Sequence, residues 1–278
     1  MTGVECRQVA ILAAKELRER LRNRWVLTVA AVFAVFSLVI CYFGGAEQGA
    51  LGPHSIEFVI TSLVSLVIYL IPLIALLLGF DAIVGERERG TLDLLLALPI
   101  TRLELLLGKF LGLAAALTLS TLAGFALMVA LLWRQFGRVG LVQSAGFVLS
   151  SILLGLVFLS LALCVSVLSR ERTRASGLAI ALWFGFVLVF DLLLLGLLVA
   201  GGGAVGGAVG GPALAYLLLL NPTDIFRILN VFSLDQLRGF QGLVSIVPPA
   251  LGNPWAMGGA MLAWIAAPLA LAAWRFRS

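Results

Sequence analysis

Six apolar runs divide the chain, at residues 25–43, 58–80, 109–133, 147–168, 178–200 and 255–274. Each is about twenty residues long, the length an α-helix needs to cross a hydrocarbon core of about 30 Å. The polar segments between them come too evenly for a separate soluble module, so one membrane domain over residues 1–278 is expected. Composition agrees: 62% of the residues are hydrophobic and the mean hydropathy is +1.12, more apolar surface than a soluble 29.5 kDa fold can hide. The first run exceeds the apolar core of a cleaved signal and is expected to stay as a span.

The polar segments then carry the chemistry. Residues 81–108 are the most charged, with Asp81, Glu86, Arg87, Glu88 and Arg89 within nine residues of a chain that is 12% charged. These charges are expected in water. After Gly85 and Gly90, the residues Thr91, Leu92, Leu95 and Leu96, closed by Leu98 and Pro99, predict a short helix that lays an apolar face on a neighbour. Such a helix is too short to be stable alone. Between two spans it reads as a coupling element, gripping a soluble partner and passing movement inward.

Residues 1–24 read as an interfacial helix. Six basic residues, Arg7 to Arg24, accompany a stripe of Ala10, Ala14, Leu17, Leu21 and Trp25. The net charge of +5 and pI near 9.6 could indicate nucleic acid, but the bases cluster beside apolar spans, which points to anionic membrane lipids. The N-terminus, the 81–109 stretch, the 169–174 loop and the C-terminus hold 15 of the 19 Lys and Arg. By the positive-inside rule both termini are expected in the cytoplasm.

Residues 201–254 form the segment between the last two spans. Gly201–Gly211 reads as a hinge, and Leu214–Leu220 is apolar but too short to cross. Asn221 is placed to cap a helix starting at Pro222, with Ile225, Ile228, Leu229 and Phe232 on one face. Asp224 and Arg227 lie at i and i+3 and can pair, leaving Asp224, Arg227 and Asn230 for a partner. A re-entrant or interfacial hairpin capping the bundle is expected.

Single features are weighed in the same way. The pairs Asn221-Pro222 and Asn253-Pro254 are read as helix caps, and Arg170, Arg172 and Arg174, spaced by two, as a topology signal. Asp191, an acid well inside a span, is either a relay group or an orienting residue paired with a polar neighbour. Met257 and Met261 could pass a soft metal or simply fill a gap. Cys6, Cys41 and Cys164 share no ligand spacing. Gly108-Lys109 lacks the earlier glycine of a phosphate-binding loop, so no nucleotide site, cofactor or catalytic constellation is expected in this chain.

Glu86, Gly90-Thr91-Leu92, Leu95-Leu96, Pro99, Arg102 and Gly108-Lys109 resemble the coupling signature of ABC-2 type transporter permeases. LRNRW at 21–25, FDAIVGE at 80–86, LVFDLLLL at 188–195 and LLLLNPTDIFRI at 217–228 are similar to the permeases of nitrous oxide reductase maturation systems. The resemblance implies a homodimer in the bacterial inner membrane, a NosF-like cytoplasmic ATPase that binds ATP and Mg, and a NosD-like periplasmic protein. It implies copper-site assembly as the process served. No row of Cys, Met or His crosses the sequence, which favours force transmission over a metal conduit. The rival of the same architecture exports a lipid, drug, glycan or copper/sulfur species through the dimer interface. An ATP-independent carrier is disfavoured, because membrane acids and an inverted repeat are lacking.

Overall fold

The computed structural model describes residues 5–22, 25–43, 54–200, 216–232 and 253–277. The Gly201–Gly211 hinge and most of the expected outer segment lie outside them. Among the described residues the protein is all-helical: α1 (Cys6–Arg22), α2 (Trp25–Phe43), α3 (His54–Gly79), α4 (Val84–Glu88), α5 (Thr91–Leu96), α6 (Arg102–Leu168), α7 (Arg172–Phe184), α8 (Phe190–Ala200), α9 (Pro222–Phe232) and α10 (Pro254–Arg277). Among the described residues, four helical stretches are long and apolar enough to cross a membrane, or five if the bent pair α1–α2 counts as one span.

The centre of the molecule is α6, whose 67 residues would extend about 100 Å if straight. Instead the backbone breaks at Gly137, with φ 60° and ψ −137°, a conformation that suits a residue without a β-carbon. The helix doubles back there. Phe125 in the first limb meets Phe147 in the second edge to face, with centroids 5.4 Å apart. Residues 135–144, between the third and fourth apolar runs, are therefore helical apart from Gly137. Helices α1, α2, α3, α9 and α10 all pack on these limbs, which hold the largest share of the buried core.

The N-terminal helix sits across the start of α6, and its axis lies 64° from that of α2. Its seat is made by Gly108 and Gly112. A β-carbon at Gly108 would lie 2.5 Å from that of Leu12, and one at Gly112 would lie 2.6 Å from that of Glu16. The face of α1 that packs here is Val9, Leu12, Ala13 and Glu16, whereas Ala10, Ala14 and Leu21 of the expected stripe remain exposed. Glu104 fastens both helix starts. It completes a capping box with Thr101, and its Oε1 accepts from the Glu5 N–H at 2.7 Å.

At the far end, Asn221 caps α9 as expected, accepting from the Thr223 N–H at 3.0 Å. Its amide also donates, at 2.9 Å, to the carbonyl of Phe186, within a π-turn at Gly185–Val189 that joins α7 to α8. Asn253 likewise caps α10 through the Trp255 N–H.

Candidate functional site

Residues 81–101 turn a sharp corner between α4 and α5. Gly90 makes that corner with φ 69°, the left-handed region. Beyond it α5 lays Leu92 on the bundle, with Leu95 and Leu96 half-buried beside it. The apolar face expected to grip a partner is thus used within the chain. Facing outward instead are Leu94, 70% exposed, and Leu98, 53% exposed, two leucines that the helical count leaves out.

Part of the segment's charge also turns inward, contrary to the expectation that it sits in water. Lys109 Nζ lies 2.8 Å from Glu86 Oε1 and 3.3 Å from Glu16 Oε2, and its side chain is only 9% exposed. The Thr91 hydroxyl donates to Glu86 Oε2 at 2.8 Å, and Arg20 pairs with Glu16 at 3.1 Å. Two acids and two bases therefore close on one another. This network joins α1, the 81–101 segment and the first limb of α6.

A second set of contacts joins the same segment to the second limb. Ser166 Oγ accepts the N–H groups of Ile83 and Val84 at 2.9 and 3.0 Å. The Arg87 guanidinium donates to the carbonyls of Ser169 and Val167, which close the end of α6, where carbonyls have no partner inside the helix. Asp81 pairs with Arg172 at 3.0 Å, and Glu88 accepts from the Arg172 N–H at 2.6 Å, which adds α7. Gly85 is buried, and Arg89 donates to its carbonyl at 3.0 Å.

Sequence reasoning missed Glu16 and Ser166, and it named Lys109 only within the family signature. Lys109 and Glu104 stand in the sequence as breaks in an apolar run, and Thr101-x-x-Glu104 is a legible capping box. Nothing in the spacing shows that Glu16 and Glu86 meet on one lysine.

The far-end residues are placed differently from expectation. Asp224 and Asn230 are buried at 2% and 4% exposure, so they are not open to a partner. The Asn230 amide donates to the Phe226 carbonyl at 2.8 Å and to Ser150 at 3.0 Å. The reason is that α9 is wedged among α3, α6 and α10, so even Phe226, on its supposed polar side, is fully buried. Arg227 does pair with Asp224, at 2.8 Å, and its second nitrogen reaches Asp191 at 2.9 Å. Asp191 is thus a paired acid, and its partner comes from α9. Met257 and Met261 are buried in the core, and among the described residues no three His, Cys, Asp or Glu gather as a metal site. Cys6 is exposed and Cys164 buried, both as free thiols.

A geometry in which one loop is tied to three helices, with two leucines left outward, suits a subunit that takes up motion from elsewhere. Comparison with known proteins gives the family. Residues 10–278 match the model of the ABC-2 family transporter proteins. The chain is 45% identical to a probable ABC transporter permease protein NosY of Pseudomonas aeruginosa, over 96% of each chain. It is also 45% identical to its namesake from Stutzerimonas stutzeri, over 97% of this chain and 98% of that one. The chain belongs to the ABC-2 family of transporter membrane proteins, as a NosY-like permease subunit without ATPase activity of its own.

Proposed function

We propose that this permease converts nucleotide-driven movement of a separate cytoplasmic ATPase into a conformational change on the periplasmic side of the inner membrane. The movement serves copper-site assembly of nitrous oxide reductase. The observation that carries this reading is the anchoring of residues 81–96: Glu86 to the first limb of α6, Ser166 and Arg87 to the second, Asp81 and Glu88 to α7. A push on α5 is passed to all of these together, because packed and paired elements move as bodies. Binding of ATP by the partner shifts the balance of two states only if the partner contacts them differently. Leu94 and Leu98 are the side chains that make that contact. The two limbs of α6 count as separate crossings, giving six spans with both termini in the cytoplasm. Two copies form the membrane unit, with a NosF-like ATPase pair below and a NosD-like protein above, received by the outer segment.

The test is co-purification from a host that carries the neighbouring subunits. Tagged chain is expected to bring down an ATPase and a periplasmic protein. Leu94→Asp is expected to insert and fold normally, since an exposed position costs less than about 0.5 kcal/mol, yet lose the ATPase. Retention of a fully stimulated ATPase by Leu94→Asp would remove this contact from the proposal. An ATPase with no periplasmic partner would favour export.

A further inference from the structure

Three helix ends meet at the basic end of the bundle: the start of α6 at Arg102, the end of its second limb at Leu168 and the end of α10 at Arg277. Between them and α5 lies an open cavity of about 490 Å³. Arg87, Arg102, Arg170 and Arg275 line it, with Asp93 as the one acid among the described lining residues, which leaves an excess of positive charge. Arg87 donates to the carbonyls of Val167 and Ser169, and Arg102 to that of Phe276 at 2.9 Å. Neutral carbonyls hold a guanidinium in place without cancelling its charge. Two of the four cations are thus fixed in position, facing a cavity that a soluble fold would have no reason to make so basic.

The rest of the wall is apolar, with Leu92, Leu96 and Leu168 among its residues. Leu168 is 48% exposed, and Trp274, next to Arg275, is 70% exposed. An open tryptophan at the end of an apolar helix marks the level where hydrocarbon gives way to headgroups. A ligand that meets cations and leucines together at that level has a charged head and an apolar body. From this juxtaposition we infer that the cavity binds the headgroup phosphate of an anionic membrane lipid. The planar guanidinium matches two phosphate oxygens at once, and basic pockets between spans select anionic headgroups. The phosphate sits among the four arginines, and the glycerol and first acyl carbons lie along Leu96 and Leu168. The proposed contact with the ATPase at Leu94 and Leu98 leaves this cavity unassigned.

The experiment titrates the purified full chain in detergent with phosphatidylglycerol or phosphatidylcholine, counting bound lipid by native mass spectrometry. Phosphatidylglycerol is expected to bind about tenfold more tightly than phosphatidylcholine and to stay bound in excess inorganic phosphate. Arg170→Gln with Arg275→Gln, both at exposed positions, is expected to weaken phosphatidylglycerol binding about tenfold. Arg170→Lys with Arg275→Lys should keep most of it. The control pair Arg134→Gln with Arg138→Gln, equally exposed between the two limbs of α6, should change it by less than about twofold. Should the first pair fail to fold, Arg170→Gln alone is read in the same way, with a loss of about threefold. Equal binding of the two lipids, or equal weakening by both glutamine pairs, would overturn the site. Displacement by inorganic phosphate would overturn the lipid and assign the cavity to a soluble phosphate. Unchanged lipid binding with loss of the co-purified ATPase in the Arg170 and Arg275 pair would give the cavity to the ATPase instead.

Discussion

The two ends of the bundle each hold two acids around one shared base, and they differ in what completes them. At the basic end Glu16 and Glu86 meet on Lys109, Arg20 balances the count, and the side chains of Glu16 and Lys109 are less than a tenth exposed. At the far end Asp224 and Asp191 meet on Arg227 with no second base among the described residues, and two of the three groups are over a third exposed. The first cluster is finished within the chain and behaves as a structural rivet under the 81–101 segment. The second holds two acids on one base and stays partly exposed. A buried ion pair is weak evidence for stability by itself, because desolvation offsets much of the attraction. The balance of each cluster therefore says more than its number of contacts.

The comparison breaks most plainly at Lys109. Lys109→Met leaves Glu16 and Glu86 buried without their shared base, a change that costs about 3–5 kcal/mol in buried pairs. Folded yield in detergent and the midpoint of thermal aggregation should both fall. Adding Glu16→Gln and Glu86→Gln to the same chain should recover much of the loss. If Lys109→Met alone behaves as the parent, the cluster is not the rivet described.

Arg227→Gln is expected to have a smaller effect, about 1–3 kcal/mol, because half of the cluster reaches the surface while buried Asp224 loses its charged partner. An Arg227→Glu change would be harsher than an exposed helix implies, since it gathers three carboxylates. Thermal aggregation of the two variants side by side separates these cases. Equal midpoints would mean that Asp224 is not held by charge.

Of the same order is the effect expected of Ser166→Ala, which removes the acceptor of two buried N–H groups, those of Ile83 and Val84. A cost of about 1–3 kcal/mol is expected for orphaned buried groups. The more telling readout is functional: stimulated activity of the partner ATPase should drop while the complex still forms. Full stimulation would show that the second limb of α6 is not in the path. A last, packing-level change is Gly112→Ala, whose β-carbon meets Glu16 and the Ala13 carbonyl. It should loosen α1 at a cost of about 1–3 kcal/mol, read as faster proteolysis within residues 6–22.

Much of this protein follows from local rules that the amino-acid order obeys by itself. Apolar runs longer than a bilayer is thick, bases beside them, Asn-Pro helix starts and a charged, leucine-bearing interruption are all one-dimensional signals. They determined the all-helical membrane class, the caps at Asn221 and Asn253, the Asp224–Arg227 pair and the short helix after Gly90. Only the tertiary structure decided which way side chains face. Leu92 turned inward and Leu94 outward because α5 rests on its own bundle, and Asn230 turned inward because α9 is wedged on several sides. Periodicity cannot choose between an outer and an inner polar face where protein lies on both. Pairs such as Lys109 with Glu16, or Asp191 with Arg227, join residues 93 and 36 positions apart. Charges attract by distance in space, and sequence separation carries no record of that distance until α6 has doubled back at Gly137 and gathered its neighbours.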